Sequence, residues 1–301
     1  MLLALKLGVL VALLALAVAT QNLGKIWALV SGANFHYLLL FIVVHAATAA
    51  LGSGNLFLLL HPLGKTLSWP RLFYFDLLSM PGVYYTPGGI GGLGGMMFLM
   101  SREGLGLKDS AIVVVVDKTI TLIVALLFMA VHLHVYYSGG LEVKWYGLAA
   151  LIFLVAAGAA AMLTSGLVRQ SAATIVDRLR CYGGHYRLLS ANMIITIAIF
   201  GLQGLQFYGA FSAVRIEVTD WLLILSSYGV MAIIGQLPIT LGGIGLSEAA
   251  AVLLWAGLGM GTEQILAVFL LIRLFTMIST LFLGGGAAVV WLLERRQVAD
   301  K

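Results

Sequence analysis

TPGGIG at residues 86–91 and TLGGIG at residues 240–245 differ at one position out of six. Each lies inside a region that is apolar yet broken by glycine and proline, at 71–100 and at 220–258. Six of the ten residues from Thr86 to Gly95 are glycine. In a soluble enzyme such a loop often wraps a phosphate. Here it lies in a chain that is 61% hydrophobic and 10% charged, with mean hydropathy +1.06. Soluble domains carry about 25% charged residues, so these turns belong to an integral membrane protein.

Long apolar runs fall at about 2–20, 36–60, 110–137, 145–168, 188–213 and 263–293. Each is long enough as a helix to cross ~30 Å of hydrocarbon, and a β-barrel would show short alternating segments instead. Lys6, the following apolar run and Ala17-Val18-Ala19 have the look of a leader peptide, but the run reads as the first transmembrane helix. The two broken regions fit poorly as single spans. From Arg71 to Thr86 a helix would run roughly 24 Å, and from Leu93 to Met100 roughly 12 Å. Hairpins that enter and leave on one side account for these lengths. The second region is closer to a crossing, since Trp221 to Leu237 nearly suffices.

Charge decides the topology. With hairpins at both breaks, one side of the membrane receives Lys65, Arg71, Arg102, Lys108, Arg169, Arg178, Arg180, Arg187, Arg295, Arg296 and Lys301. The other receives only Lys25, Lys144 and Arg215. Eleven against three predicts that the basic side is cytoplasmic. It also places both termini there, in a multi-pass protein of the cytoplasmic (inner) membrane. A single crossing at either break would destroy the asymmetry. The net charge of +5 therefore reflects orientation and contact with anionic headgroups, not nucleic acid.

The two hairpins then enter from opposite sides. Both hexapeptides lead into a short apolar arm and a Gly-Leu-Gly, at 104–106 and 257–259, and then into a long helix with one cation, Lys118 or Arg273. The pattern predicts a single all-α transmembrane domain over 1–301, with inverted pseudo-repeat halves at about 36–137 and 188–293 and about six full spans plus two re-entrant hairpins.

Backbone broken at bilayer depth survives only inside protein or beside a watery cavity. Helix N-termini there attract anions. Gly88, Gly89, Gly91, Gly242, Gly243, Gly245 and Ser247 are accordingly candidates to cradle a phosphate-bearing headgroup, against the alternative that the glycines only permit tight packing. Lys118 and Arg273 are candidate anion ligands, since a charge mid-membrane costs at least about 2.5 kcal/mol and persists when paired or functional. Glu248, Asp76 and Asp117 are candidate counterions or coupling groups. Internal pairing would put Arg273 with Glu248, and Lys118 with Asp117 or Asp76; Asp117 is expected to be the poorer partner because neighbours on a helix diverge. Gln203 and Gln206 share a helix face and suit interhelical hydrogen bonds.

No metal site is expected. The single cysteine, Cys181, excludes a CxxC pair, and His132 and His134, two apart, diverge near the outer face. No Asp-x-Asp or Asp-x-Glu occurs, which disfavours metal-dependent transfer chemistry. No cofactor is called for, and coupling to protons or sodium stays open. The basic loop 169–187, with Tyr182, His185 and Tyr186, suits headgroup contact or docking of a cytoplasmic synthase.

Gly242-Gly243-Ile244-Gly245-Leu246-Ser247-Glu248-Ala249-Ala250 follows Gln236-Leu237-Pro238 and precedes the second Gly-Leu-Gly and Arg273. This resembles the C-terminal signature of the lysylphosphatidylglycerol synthase transmembrane-region family, which includes stand-alone flippase-like proteins. The resemblance covers nearly the whole chain. It implies a lipid-translocating domain of the cell envelope, here without the soluble aminoacyl-transferase domain of fused members. Its cargo would be an anionic amphiphile such as polyprenyl phosphate, a polyprenyl-phosphate-linked sugar or a modified phospholipid. The first half departs from the family. Where a Gly-Glu and an arginine are expected after the turn, this chain has more glycine and Met96, and Asp117-Lys118 matches an Asp-Arg pair only conservatively. A membrane-embedded lipid-linked transferase and an accessory subunit of a synthase are the alternatives.

Overall fold

A computed structural model describes residues 23–86, 88–136, 180–218, 220–235, 245–256 and 260–299, the last with side chains to 293. All regular structure among them is helical: α1 (Leu23–Ser31), α2 (Tyr37–Leu60), α3 (Trp69–Tyr85), α4 (Ile90–Met100), α5 (Leu107–Tyr136), α6 (Tyr186–Ala213), α7 (Trp221–Gly235), α8 (Leu246–Ala256) and α9 (Thr262–Ala299). Four stretches are long and apolar enough to cross a membrane: Tyr37–Leu63, Leu107–Tyr136, Tyr186–Ala213 and Thr262–Leu293. They coincide with four of the apolar runs. The runs at 2–20 and 145–168 lie outside the described residues.

The first break has a local cause. Proline disfavours helical backbone in the residue before it, and Thr86, ahead of Pro87, is extended at φ −119°, ψ 152°. Gly88 and Gly89 then turn the chain through left-handed conformations, φ 59° and 69°, which side chains with a Cβ resist. Helix resumes at Ile90, three residues earlier than the expected arm at Leu93, because Gly92 allows the arms to touch. A Cβ on Gly92 would sit 2.2 Å from Val83 Cγ2 and 2.6 Å from the Val83 backbone nitrogen. At the open end of this hairpin Arg71 pairs with Glu103 at 2.8 Å, so both arms end on the same side. The second break, at 236–244, lies outside the described residues; α7 and α8 flank it and pack together.

Two sets of four helices carry the same packing. In the first, α2 packs on α3 and α5, α3 on α4, and α4 on α5; in the second, α6 packs on α7 and α9, α7 on α8, and α8 on α9. Contacts between the sets obey the same exchange. α2 meets α6; α5 on α7 has its counterpart in α9 on α3; α5 on α6 has its counterpart in α9 on α2. The equivalent helices α2 and α6 run antiparallel. Gly209, near the end of α6, faces Tyr37 and Leu40 at the start of α2. At the other end Asn192 Nδ2 donates to Asn55 O at 3.4 Å, and Asn55 Nδ2 to Thr196 Oγ1 at 3.1 Å. Among the described helices, α1 alone stands outside the pattern, against α9.

Candidate functional site

Gly245 precedes α8 with φ 82°, and Glu248 is the third residue of that helix. The first N–H groups of a helix lack intrahelical acceptors and favour a carboxylate. Glu248 supplies it: Gly245 N–H donates to Oε2 at 2.7 Å. The other oxygen, Oε1, accepts from Arg273 Nε at 3.0 Å. One carboxylate therefore caps the start of α8 and binds a guanidinium of α9. Both side chains are half-buried, 20% and 31% exposed, and Ser247 beside them is buried. Gly242 and Gly243 lie outside the described residues.

The first tip is closed by a hydroxyl. Thr86 Oγ1 donates to Gly82 O at 2.6 Å and accepts from Gly91 N–H at 2.8 Å, tying the arms together. Gly92 N–H donates back to Gly89 O at 3.1 Å. Gly88 and Gly89 make the turn, while Gly91 and Gly92 face the opposite arm. At this tip the glycines serve close packing, and the donor at Gly91 is already engaged.

Lys118 corrects one expectation. Its Nζ lies 3.1 Å from Asp117 Oδ2, with side-chain exposures of 45% and 11%. The Cβ atoms of neighbours on a helix diverge, yet a four-carbon stem is long enough to fold back, and an apolar surround offers few other partners. Asp76, on α3, lies within electrostatic range of both Lys118 and Asp117, with Oδ2 packed where a Cβ on Gly52 of α2 would come within 3.3 Å. The charged candidates thus form two groups, Arg273–Glu248–Gly245 in one set of helices and Lys118–Asp117–Asp76 in the other.

Sequence reading missed His45. This buried residue of α2 sets Nδ1 2.8 Å from Gln206 Nε2 of α6 and 3.0 Å from Phe41 O of its own helix, and Nε2 2.9 Å from Tyr84 Oη of α3. Tyr84 stands two residues before Thr86, so this contact anchors the first tip to α2 and α6. Gln203 accepts from Tyr228 Oη of α7. Both glutamines thus make interhelical bonds. The available signal was an ionisable residue inside an apolar run. His132 also differs from expectation: it is fully buried, 2.9 Å from Ser226 Oγ of α7, whereas His134 is exposed. No metal-holding group of His, Cys, Asp or Glu occurs among the described residues. At the far end of α5, Tyr136 Oη donates to Asp220 Oδ2 at 2.5 Å and Leu223 N–H to Oδ1 at 3.1 Å. The tyrosine bond foremost, with backbone N–H donors, holds the Asp220 carboxyl below its ordinary range.

Membrane-length helices, a helical hairpin broken at glycine and ion pairs set within apolar packing define a polytopic α-helical membrane protein. Residues 3–284 match the family described as the lysylphosphatidylglycerol synthase TM region, and the chain belongs to that family. The membership ties it to membrane lipid. No curated protein matches the chain.

Proposed function

We propose that the chain carries an anionic amphiphile across the cytoplasmic membrane, headgroup through the protein and tail in the bilayer. Polyprenyl phosphate, its sugar-linked forms and modified phospholipids are the candidate cargoes. The observation that supports this most is the Glu248 carboxylate held between a helix N-terminus and Arg273 in an apolar bundle. An anion is already seated there, and a lipid phosphate presents the same oxygens to the same donors. Arginine grips phosphate through a planar fork, whereas Lys118 acts as a point charge.

In this reading Glu248 yields Arg273 to the phosphate and rebinds it afterwards. Asp76 and Asp117 play the counterion role for Lys118, and any of these carboxylates is a place for a coupling proton or sodium ion. The antiparallel sets of helices, with halves at about 36–137 and 188–293, suit a rocking exchange of access. The basic side faces the cytoplasm with both termini, and loop 169–187 meets headgroups or a synthase there. The reading requires no cofactor.

The family description, a region of a synthase, favours a second reading in which the chain serves a lipid-modifying enzyme as its embedded part or accessory subunit. Purified protein in vesicles with a labelled anionic lipid separates the readings. Transport predicts that label crosses unaltered and that Arg273→Leu stops it. A covalently altered lipid would support the transferase, and neither outcome the accessory role.

A further inference from the structure

One cleft lies away from the first tip. It has a volume of about 170 Å³ and opens at the basic end, between the end of α2, the loop that follows it, and the start of α6. Phe57, Leu58, Leu60 and Leu188 make its apolar walls, and His61 and Lys65 stand at its rim. The walls are set by backbone geometry. Pro62 tightens the end of α2 into a 3-10 turn, Gly64 reverses the chain at φ 63°, and Lys65 N–H returns to Leu60 O at 3.3 Å. Buried Tyr182 braces the same corner, its hydroxyl donating to Leu59 O at 2.7 Å.

We propose that this cleft is a binding site for an anionic membrane lipid, with one chain against Phe57 and Leu188 and the phosphate on Lys65. Three observations converge. The walls are apolar, which suits an acyl chain and not a water-soluble ligand. A half-buried cation stands at the rim of that apolar surface. The site lies at the end of the bundle that bears the Arg71–Glu103 pair and Arg187, where a basic pocket between membrane helices recognises anionic headgroups. The inference goes beyond the transport reading, since binding here needs no translocation.

The test uses the full chain with p-benzoylphenylalanine at position 57, in vesicles of phosphatidylcholine mixed with phosphatidylglycerol. Irradiation and mass spectrometry then count the lipid adducts. Phosphatidylglycerol should be enriched over its share of the mixture, and Lys65→Gln should cut that enrichment about fivefold. Leu188→Trp, which fills the cleft, should remove adducts of both lipids while the protein still elutes as a single species. Inorganic phosphate should not compete. Adducts in proportion to the lipid mixture, or enrichment unchanged by Lys65→Gln, would overturn the site. Loss of transport in Arg273→Leu bears on the other reading alone.

Discussion

The two glycine turns share five of six residues and close differently. Matched residue for residue, Gly91 corresponds to Gly245, and Gly94 stands where Glu248 stands. Each conserves the donor: Gly91 N–H goes to the Thr86 hydroxyl at 2.8 Å, Gly245 N–H to the Glu248 carboxylate at 2.7 Å. The acceptors carry different charge. A Cβ on Gly94 would meet nothing within 4 Å, so the first tip has room where the second has an acid. Each cation lies eleven residues into its helix, Lys118 from Leu107 and Arg273 from Thr262. Arg273 reaches its tip's carboxylate, while Lys118 pairs with its own neighbour. One turn is latched by charge and the other by a hydroxyl. The N–H donor ahead of the helix is thus kept in both halves, and the charge of its acceptor differs.

Substitutions can break that comparison. Arg273→Leu should have the largest effect. On the proposed transport reading it should end transport, and it should cost about 1.5–3 kcal/mol by stranding Glu248 in apolar surroundings. Adding Glu248→Leu should restore much of the stability, read by thermal unfolding in detergent, without restoring transport. Gly92→Ala should rank next, at about 1–3 kcal/mol, since its methyl must displace Val83 backbone. Thr86→Val should cost roughly 1–3 kcal/mol by leaving Gly91 N–H unpaired. The corresponding loss at the second tip requires removal of a charge.

Gly94 sharpens the comparison instead of breaking it. Gly94→Ala should be stabilising by about 0.5–1 kcal/mol, because the position is helical with open space beyond it. Gly94→Glu should fold and yet slow transport, by giving the first tip a resident anion like that of the second. Unchanged transport in Gly94→Glu would separate the two tips in function as well as in structure. The smallest effect lies at Asp220. Its folded pKa is depressed, so its contribution to stability is present above the ordinary aspartate value of about 3.9 and fades as pH falls through the lower folded value. Tyr136→Phe should flatten that acid limb in unfolding measurements between pH 5 and pH 3.

Much of this architecture was legible because membrane helices obey few rules. Apolar length marked the four described spans, and the lysine and arginine count called for a hairpin at 71–100, where the structure has one; of its expected companion at 220–258 only the flanking helices are among the described residues. The Glu248–Arg273 pair could be named because both charges interrupt apolar helices. Other features depend on where distant helices touch. His45, Tyr84 and Gln206 come from three helices, and no spacing along the chain announces their meeting. His132 looked peripheral because it falls near the end of a span, but the start of α7 covers it. Lys118 found Asp117 because a flexible stem defeats an argument based on Cβ direction. The start of α4 at Ile90 followed from Gly92 touching Val83, a contact between arms.

The central claim is that Glu248 holds the place of a lipid phosphate. A structure in lipid nanodiscs loaded with polyprenyl phosphate tests it most directly. The account predicts phosphate within hydrogen-bond distance of the Arg273 guanidinium, with the Glu248 carboxylate withdrawn from Nε. Bound lipid phosphate elsewhere, with the Glu248–Arg273 bond still at about its present 3.0 Å, would contradict it.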